Sequence, residues 1–348
     1  MIVINAKFLS QKLTGVHRYS IELCKHLPTH LGVHEIVLVG PKDAVMVEEL
    51  SHLRFEKWGK LRGNLWEQLE LPFFLKKNGN PLLVNFSGIS PVSYSHKILY
   101  IHDLAYLHHP EWFSKNFGRA YNLLLPRNAR NAKKVFTVSQ YSKKDIVKNY
   151  KLSPEKVEVV YASASERFQN LNLEKEDFIL MVSSLDPRKN MKRAIEAFLN
   201  VKTDYKLVII GDKMKSFSNP DLEKFKKEER IIFTGYLSDV ELINYYNRAK
   251  IFLYPSLFEG FGIPPMEAQK CGCPAIVSEI TCLPEVYEDS VLYCDPFETE
   301  SIQSSIEKLI SDENLRKSLV KKGFENADRF GWEKSAKSFI NHILGTSK

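Results

Sequence analysis

Short runs of apolar residues alternate along the chain with longer segments in which apolar residues recur every three or four positions. The short runs predict buried β-strands, and the longer segments predict amphipathic helices. In the first half the predicted strands are Ile2–Phe8, Glu35–Gly40, Leu53–Trp58, Leu82–Phe86, Lys97–Ile101, Lys134–Val138 and Lys156–Val160. The predicted helices of this half are Val16–Leu27, Asn64–Lys77, Lys115–Ala132 and Ser142–Tyr150. Strands that alternate with helices in this way predict a parallel sheet covered by helices.

The alternation restarts after an irregular, polar stretch at residues 163–177, which predicts a linker. The predicted strands of the second half are Phe178–Ser183, Tyr205–Ile210, Ile231–Phe233, Ile251–Tyr254, Pro274–Ser278 and Val291–Tyr293. Its predicted helices are Asn190–Leu199, Pro220–Glu229, one that begins after Ser238, one that ends at Lys270, Thr299–Ile310 and a tail from Glu313 to Leu344, broken near Gly331. Ser238 and Glu241 have the spacing of a helix capping box.

These patterns predict an α/β protein with two doubly wound domains, at residues 1–165 and 175–330. The length of 348 residues favours two domains over one, because single hydrophobic cores stop growing near this size. Two such domains in succession predict a cleft between them, which is where small-molecule sites are favoured.

One segment of the second half, residues 256–267, combines a strand end, a glycine-containing loop and a helix start. It reads Ser-Leu-Phe-Glu-Gly-Phe-Gly-Ile-Pro-Pro-Met-Glu and follows the predicted strand Ile251–Tyr254. Gly260 and Gly262 would let the backbone approach a ligand closely, and the two prolines suit the first turn of a helix. In a parallel sheet such a loop lies at the carboxyl edge, where ligands bind, and the helix N-terminus would face an anion. Carboxylates near a helix start are also common without any ligand, because they complement the helix dipole.

Several functional classes are disfavoured by missing motifs. Neither half carries Gly-x-Gly-x-x-Gly after its first strand or a phosphate-binding Gly-x4-Gly-Lys-Ser/Thr loop, which argues against a dehydrogenase and a nucleoside triphosphatase. No Asp-x-Asp pair for a divalent metal ion occurs in the sequence. The five cysteines include Cys271 and Cys273, whose spacing does not fit a zinc site, so we expect reduced core thiols. No apolar run has the length of a membrane span, and no apolar leader precedes the first strand, so we expect a cytoplasmic protein.

The positive charge of the chain lies in its first half. Residues 1–170 contain 24 Lys and Arg against 14 Asp and Glu, whereas residues 171–348 contain 25 against 28. The basic residues include Lys57, Lys60, Arg62, Lys76, Lys77, Arg127, Arg130, Lys133 and Lys134, and the aromatic residues near them are Trp58, Trp66, Phe73, Phe74, Trp112, Phe113 and Phe117. Basic residues beside apolar ones suit peripheral contact with an anionic membrane, but they also fit a solvated face above a core. No nucleic-acid-binding module is recognisable, so nucleic acid is not an expected partner.

The segment 256–267, continued through Val277 and by Leu-Pro-Glu-Val at residues 283–286, resembles the family-four glycosyltransferases. Shorter matches to this family follow in order along nearly the whole chain, at Thr14–Val16, Ile101–Leu104, Val138–Ser142, Ser153–Val157, Leu185–Asn190 and Asp295–Pro296. Members of the family are retaining enzymes that use nucleotide-sugar donors and have the GT-B fold. The resemblance implies two facing Rossmann-like domains here, with the cleft between them and a C-terminal helix, residues 331–348, that crosses back to the first domain.

The resemblance assigns the donor-binding residues of the second domain. Glu267 resembles the glutamate that holds the ribose hydroxyls, and a carboxylate is suited to accept from two vicinal hydroxyls. Glu259 resembles a catalytic glutamate near the donor sugar. The amides of Gly260, Phe261, Gly262 and Ile263 would contact sugar hydroxyls and the distal phosphate.

Arg188 and Lys189 resemble the cations that stabilise the leaving nucleoside diphosphate. The resemblance implies no metal and no other cofactor. Cationic side chains and amides would then stabilise the negative charge that develops on the leaving group. Relatives often carry a further arginine where Ser184 stands here, so the share of Arg188 in this role is open.

The resemblance also assigns residues of the first domain. Gly15 would present bare backbone to the pyrophosphate, and His102 would contact the donor sugar near the reaction centre. Asp103 would orient His102 or face the acceptor hydroxyl. Many relatives have a second glycine where this chain has His17, and His17 or Arg18 would then contact the acceptor or a phosphate.

The run Phe-Glu-Gly-Phe-Gly-Ile-Pro-Pro, together with Pro-Arg-Lys-Asn at residues 187–190, resembles the mannosyltransferases of the family that build bacterial surface polysaccharide or lipopolysaccharide. The expected donor is therefore GDP-mannose, with a UDP-sugar as the alternative. The expected acceptor is a glycan in the form of a lipid-linked oligosaccharide, at the inner face of the cytoplasmic membrane. Two alternatives come from other classes: a sugar-nucleotide epimerase, which would need no acceptor, and a non-catalytic sugar-nucleotide binder. The binder is disfavoured because the chain carries the charged residues and the histidine that the resemblance assigns to catalysis and donor binding, which are Glu259, Glu267, Arg188, Lys189 and His102.

Overall fold

A computed structural model of the chain describes residues 1–11, 14–183, 186–211 and 224–345. The chain folds into two compact units, one formed by residues 1–162 with 331–348 and the other by residues 163–330. Each unit contains one parallel sheet covered by helices, which confirms the predicted pair of doubly wound α/β units.

The first unit is built on a seven-stranded parallel sheet in the described residues, with the order β3-β2-β1-β4-β5-β6-β7. Its strands are β1 Ile2–Asn5, β2 Ile36–Gly40, β3 Arg54–Lys57, β4 Leu82–Asn85, β5 Lys97–Tyr100, β6 Lys134–Thr137 and β7 Val157–Val159. Strand β1 pairs with both β2 and β4, so the direction of winding reverses between β1 and β4. Ligands in doubly wound folds bind outside the carboxyl ends of the strands at such a switch point.

The helices of the first unit are α1 Gly15–His26, α2 Gly63–Leu65, α3 Leu71–Lys77, α4 Ala105–His108, α5 Lys115–Asn131 and α6 Gln140–Tyr150. A π-helical turn, Trp66–Glu70, joins α2 to α3, so residues 63–77 form one continuous helical segment. The strand predicted at Ile2–Phe8 was too long. The side chain of Asn5 accepts a hydrogen bond from the Lys7 amide and caps a 3-10 helix at Ala6–Ser10, which ends the strand.

The second unit has a six-stranded parallel sheet in the described residues, with the order β10-β9-β8-β11-β12-β13. Its strands are β8 Glu176–Val182, β9 Lys206–Ile210, β10 Ile231–Gly235, β11 Ala249–Tyr254, β12 Ala275–Ser278 and β13 Leu292–Cys294. Its helices are α7 Met191–Asn200, α8 Asp239–Arg248, α9 Ile263–Lys270, α10 Leu283–Tyr287, α11 Thr299–Ser311 and α12 Glu313–Asp328. Strand β8 pairs with β9 and β11, so the switch point of this sheet lies between β8 and β11.

Local sequence signals were correct at some helix ends and wrong at others. The predicted capping box is present, because Ser238 and Glu241 exchange both hydrogen bonds at the start of α8. The helix predicted at Pro220–Glu229 lies partly outside the described residues, and its described part is only a 3-10 turn at Lys224–Lys227. This part offers a single buried apolar anchor, Phe225, among charged neighbours, which is too little to hold an amphipathic helix against the sheet.

The last helix, α13 Trp332–Leu344, belongs to the first unit and packs against α1. Phe339 is fully buried there and its ring contacts those of Tyr100 and Phe136. The Ser335 hydroxyl donates to the Tyr161 carbonyl oxygen at 2.7 Å. The chain therefore returns to its first unit after completing the second.

Two further expectations concern cysteines and membrane spans. All five cysteines are buried free thiols, as predicted. Among the described residues no helix combines the length and the apolar character needed to cross a bilayer.

Candidate functional site

The loop after β11, residues 255–262, lies at the carboxyl edge of the second sheet and is here called the Glu259 loop. It is tied to the segment after β8 because the Leu257 amide donates to the Arg188 carbonyl oxygen at 2.8 Å, and the Ser256 hydroxyl donates to the same oxygen at 3.1 Å. The Asn190 side chain adds a bond to the Pro255 carbonyl oxygen at 3.1 Å. The switch point of the sheet thus brings Arg188 and Lys189 to the Glu259 loop.

The carboxylate of Glu259 is almost fully buried, with 6% of the residue exposed. Its Oε1 accepts hydrogen bonds from Lys189 Nζ at 2.5 Å, the Ser256 hydroxyl at 2.6 Å and the Tyr254 hydroxyl at 2.7 Å. Lys189 Nζ also donates to the Tyr254 hydroxyl at 2.7 Å. The pair is therefore held in one geometry by a closed set of hydrogen bonds.

The surrounding charges keep Glu259 ionised. Burial by itself would raise the pKa of Glu259, but the positive charges of Lys189 and Arg188 outweigh it and bring the pKa to about 2. Burial lowers the pKa of Lys189 from its usual value, and the Glu259 carboxylate opposes that shift. At neutral pH this carboxylate can accept hydrogen bonds or stabilise positive charge, but it has no proton to donate.

Arg188 lies at the rim of the same group. It is part of the 3-10 turn Pro187–Lys189, and its guanidinium forms an ion pair with Asp186 at 3.3 Å. The side chain of Asp186 also accepts from the Arg188 amide at 3.0 Å and so caps this turn. Two cations that are adjacent in sequence, Arg188 and Lys189, therefore lie after the carboxyl end of β8. Ser184 and Leu185 lie outside the described residues.

Gly262 sets the turn from the Glu259 loop into α9. Its φ of +82° is in the left-handed region, and an added Cβ would stand 2.7 Å from Leu283 Cδ2. Its carbonyl oxygen accepts from the Tyr287 hydroxyl, and the Glu259 carbonyl oxygen accepts from Cys282 Sγ at 3.2 Å. Gly260 and Phe261 are buried in the same loop, and Ile263 begins the helix. Only glycine combines this backbone conformation with this close contact.

Glu267 lies in α9 and is 8% exposed. Its Oε2 accepts from the Tyr246 hydroxyl of α8 at 2.9 Å. Burial, and after it the charge of Glu267, raise the pKa of Tyr246 far above its usual value, so the phenol stays protonated and donates. The Tyr246 hydroxyl is thus a neutral donor that orients the carboxylate.

The candidate residues of the first unit lie at the start of α1 and after β5. Gly15 is exposed at the first position of α1, and an added Cβ there would meet no atom of the described residues within 4 Å. His17 is buried, and its Nε2 lies 3.1 Å from Gln11 Oε1, whereas Arg18 is half-buried. His17 is close enough to His102 for its charge to lower the pKa of the His102 ring. The structure therefore brings these two predicted residues together.

His102 is held as a neutral ring. Its Nε2 lies 2.8 Å from the Phe86 carbonyl oxygen, which can only accept, so the proton is on Nε2 and Nδ1 is the acceptor. The Tyr19 ring packs edge-on at 5.0 Å between centroids. Burial is the main reason why the pKa of His102 is lowered. Asp103 Oδ1 accepts from the Ala105 amide at 2.9 Å, at the start of the short helix α4.

Sequence reasoning missed several polar residues of these two edges. Tyr254, Ser256 and Tyr246 orient the two glutamates, and Ser256 stands inside the segment that the sequence singled out. In the first unit, the Asn5 side-chain amide at the end of β1 donates to Asn85 Oδ1 at the end of β4 and to Glu67 of the π turn. Lys7 also donates to Glu67. Asparagines at the ends of two buried strands were the available signal for this second cluster.

Among the residues that the structure describes, no group of three or more His, Cys, Asp or Glu side chains is arranged to hold a metal ion.

Two family models of glycosyltransferases match successive parts of the chain. The profile described as "Glycosyltransferase Family 4" matches residues 13–163, and the profile "Glycosyl transferases group 1" matches residues 163–326. The O-antigen chain mannosyltransferase B of Escherichia coli is 25% identical, over 98% of this chain and 98% of its own length. The O-antigen chain mannosyltransferase RfbU of Salmonella typhimurium is 28% identical, over 88% of this chain and 90% of its own.

A solved structure supports the fold. The Anabaena protein HepE in complex with UDP and glucose covers 99% of this chain and 99% of its own, with a TM-score of 0.77 and 17% identity. The likeness confirms the predicted GT-B class of fold, with its two Rossmann-like units.

Proposed function

Because the chain belongs to the glycosyltransferases of family 4, we propose that it transfers mannose from GDP-mannose to a hydroxyl of a glycan acceptor, with retention of the anomeric configuration. The observation that carries this proposal is the buried Lys189–Glu259 pair at the switch point of the second sheet, beside a glycine loop and a helix start. Two full-length relatives are named O-antigen chain mannosyltransferases, which supports mannose as the sugar and O antigen or lipopolysaccharide as the product.

The ribose of the donor is assigned to Glu267. Its carboxylate accepts a hydrogen bond from Tyr246, and a carboxylate in this fixed orientation is suited to accept from two vicinal hydroxyls. A position within a helix, buried and oriented by a neutral phenol, suits a contact that must stay the same throughout the reaction.

The leaving diphosphate is assigned to Arg188 and Lys189. The bond between the sugar C1 and the phosphate oxygen breaks, the bond between C1 and the acceptor oxygen forms, and the acceptor proton passes to a diphosphate oxygen. Negative charge develops on the diphosphate, and two adjacent cations stabilise it without a metal ion.

The donor sugar is assigned to the Glu259 loop. With a pKa of about 2, Glu259 remains a carboxylate, so it accepts from sugar hydroxyls and stabilises positive charge near C1. The amides of Gly260, Phe261, Gly262 and Ile263 donate to sugar hydroxyls and to the distal phosphate.

In the first unit we assign Gly15 and His102 to the donor, and His17, Arg18 and Asp103 to the acceptor. An added Cβ at Gly15 would meet no atom of the described residues within 4 Å, which suits a close approach of phosphate to bare backbone. The neutral His102 ring, with Nδ1 as acceptor, suits a hydroxyl of the sugar. The acceptor is a lipid-linked glycan, which places the enzyme at the inner face of the cytoplasmic membrane.

A donor panel tests the proposal. The protein is mixed in turn with GDP-mannose, UDP-sugars and ADP-sugars, and its thermal unfolding is measured with each. Isolated membranes are then added as the source of acceptor, and the release of nucleoside diphosphate is measured. We expect GDP-mannose to stabilise the protein and GDP to be released only with acceptor. Selective stabilisation by a UDP-sugar would contradict the proposal that GDP-mannose is the donor. Isomerisation of a sugar nucleotide without acceptor would identify an epimerase.

Two variants test the assigned residues. Lys189→Ala and Glu267→Ala should each lower kcat/KM at least about a hundredfold, because each removes a preorganised contact to the donor. Lys317→Ala is the control, since that side chain is 72% exposed on α12.

Loss of Lys189 also leaves the Glu259 carboxylate buried without its partner, so thermal unfolding is measured in parallel. The double variant Lys189→Met/Glu259→Gln removes both charges and separates stability from catalysis. Near-normal kinetics in both single variants would contradict the site assignment.

A further inference from the structure

Asn190 lies directly after Lys189, at the junction between the 3-10 turn Pro187–Lys189 and helix α7. Its φ is +56° and its ψ is +33°, so its backbone is in the left-handed region. Asparagine enters that region at lower cost than most residues that carry a side chain. The residue is 6% exposed, so its side-chain amide is removed from water and needs hydrogen-bond partners within the fold.

The side chain of Asn190 is used between segments that are far apart in sequence. Asparagine is a preferred N-cap residue, yet this one accepts no hydrogen bond from the backbone of α7, all of which the structure describes. Its Nδ2 donates to the Pro255 carbonyl oxygen at 3.1 Å and to the Pro296 carbonyl oxygen at 2.7 Å. Its Oδ1 accepts from the Arg193 guanidinium at 3.0 Å. Both amide protons and the oxygen are therefore engaged.

These bonds join three loops at the carboxyl edge of the second sheet. Asn190 belongs to the segment after β8, Pro255 follows β11 directly, and Pro296 lies after β13. Strand β8 lies beside β11, whereas β12 separates β11 from β13, so one side chain connects neighbouring and more distant strand ends. Since Pro255 is the first residue of the Glu259 loop, Asn190 fixes that loop to the segment that carries Lys189.

Lys189 lies between two positions that are each bonded to the Glu259 loop. On one side, the Arg188 carbonyl oxygen accepts two hydrogen bonds from the loop. On the other side, the Asn190 side chain donates to the loop at 3.1 Å. The Lys189 backbone therefore cannot shift relative to the loop unless one of these bonds breaks. This double attachment explains how a long, flexible side chain keeps its Nζ 2.5 Å from Glu259 Oε1.

We propose that Asn190 is a positioning residue, which holds Lys189 against Glu259 in the geometry that the leaving diphosphate requires. The inference rests on the proposed function for the identity of the leaving group, whereas the positioning rests on the hydrogen bonds alone. Asn190 acts through Lys189, and it is not assigned a contact with the donor.

The chemistry of the side chain explains why asparagine is needed at this position. Glycine would tolerate the left-handed backbone but would supply no bond between the loops. Aspartate has a similar shape, but it would place a carboxylate oxygen against the Pro255 and Pro296 carbonyl oxygens, which can only accept. Of these three residues, only asparagine supplies two donors and an acceptor.

A double-mutant cycle in the full-length protein tests the proposal. Asn190→Gly keeps the left-handed backbone accessible and removes the three side-chain bonds. It should lower kcat for mannose transfer about tenfold, with a smaller change in KM, because the cation is no longer held where charge develops. In the Lys189→Ala background the same substitution should have little further effect. Equal factors in the two backgrounds would overturn the proposal, since a purely structural residue acts independently of Lys189.

Asn247 provides a matched control in the same unit. It is 1% exposed, and its side chain bonds to the Gln169 and Ile243 carbonyl oxygens and to the Leu171 amide. It lies near the end of α8, just before β11 begins, and so at the opposite edge of the sheet from Asn190. Asn247→Ala should leave kcat unchanged at temperatures where both variants are folded. Equal loss of kcat in Asn247→Ala and Asn190→Gly would show that kcat follows stability, which contradicts a positioning role.

Urea unfolding separates this inference from the proposed function, because it needs no substrate. If Asn190 holds the pair together, Glu259→Gln should shift the unfolding midpoint less in the Asn190→Gly protein than in the wild type. Equal shifts would overturn the positioning role even if mannose transfer is confirmed. If the wild-type protein transfers no mannose but the two substitutions are coupled, the proposed function fails and the positioning of the Lys189–Glu259 pair stands.

Discussion

Glu259 accepts hydrogen bonds from three donors on one oxygen, and one of those donors is a lysine. The arrangement fixes both position and charge, because the positive charges of Lys189 and Arg188 outweigh the cost of burying the carboxylate. A preorganised anion beside two cations is a useful electrostatic environment for a bond that breaks with charge separation. The same coupling makes the stability of the second unit depend on pH.

Glu259→Gln tests this coupling. The folded pKa of about 2 lies below the usual 4.5, so the stability that Glu259 contributes is fully present above about pH 4.5 and is lost as the pH falls through the folded pKa. The variant should be less stable than wild type by roughly 3 kcal/mol at neutral pH, from the 1.36 kcal/mol that each pKa unit represents. Urea unfolding at about pH 7 and about pH 3 measures the difference, which should shrink on acidification. A difference that stays constant with pH would contradict an ionised, paired Glu259.

The turn from the Glu259 loop into α9 depends on a glycine for reasons of structure, and the start of α1 carries a glycine without such a need. At Gly262 the positive φ and the nearby Leu283 side chain both oppose a Cβ. At Gly15 no atom of the described residues would contact one. The two glycines therefore offer a matched comparison.

We expect Gly262→Ala to destabilise the protein by about 1 kcal/mol or more, since an L-residue in the left-handed region is strained. Gly15→Ala should leave the unfolding midpoint unchanged or slightly higher, because alanine reduces the entropy of the unfolded chain. If Gly15 approaches the donor phosphate, its variant should nevertheless bind GDP-mannose more weakly. Thermal unfolding with and without donor measures both effects, and unchanged donor affinity in Gly15→Ala would remove Gly15 from the site.

The helical segment 63–77 shows how one element serves two surfaces. Its inner residues close the core of the first unit, and Glu67 in the π turn meets Lys7 and Asn5 at the switch point of the sheet. Its outer side chains, Leu65, Leu69 and Phe73, are exposed. A π turn shifts the phase of the side chains along a helix, and such turns are frequent at functional sites.

At the scale of the whole molecule, the chain leaves its first unit, builds the second and returns with α13. The returning helix buries Phe339, Trp332 and Ile340 in the first unit. Each buried side chain of this size stabilises the fold by about 1.5–3 kcal/mol, so the first unit depends on residues from the far end of the chain.

A protein that ends at Phe330 should therefore have a weakened first unit and an intact second one. Hydrogen exchange of backbone amides checks this: β4, β5 and β6 should lose protection, and β8, β11 and β12 should keep it. Phe339→Ala is the milder version, with an expected cost of about 3–5 kcal/mol to the first unit. Equal loss of protection in both sheets would show that the helix stabilises more than its own unit.

Much of the fold could be read from the sequence because strands and helices depend on neighbours along the chain. The alternation of apolar runs and helical periods gave both parallel sheets, and the Ser238 capping box and the start of α9 were correct. Errors occurred where a local hydrogen bond or a lack of apolar residues overruled the pattern, as at the end of β1 and at Lys224–Lys227. The segment 256–267 was recognisable since its glycines and carboxylates are contiguous.

Only the tertiary structure decided how distant residues combine. Lys189 and Glu259 are 70 residues apart, and they meet because the strand order places β8 beside β11. Phe73 and Phe74 are adjacent and chemically identical, yet one is exposed and the other buried, because only one faces the sheet. Sequence by itself determined which groups the chain possesses and which elements carry them. Pairing, burial and therefore the charge state of Glu259 follow from strand order and packing, which act between residues that the sequence does not place side by side.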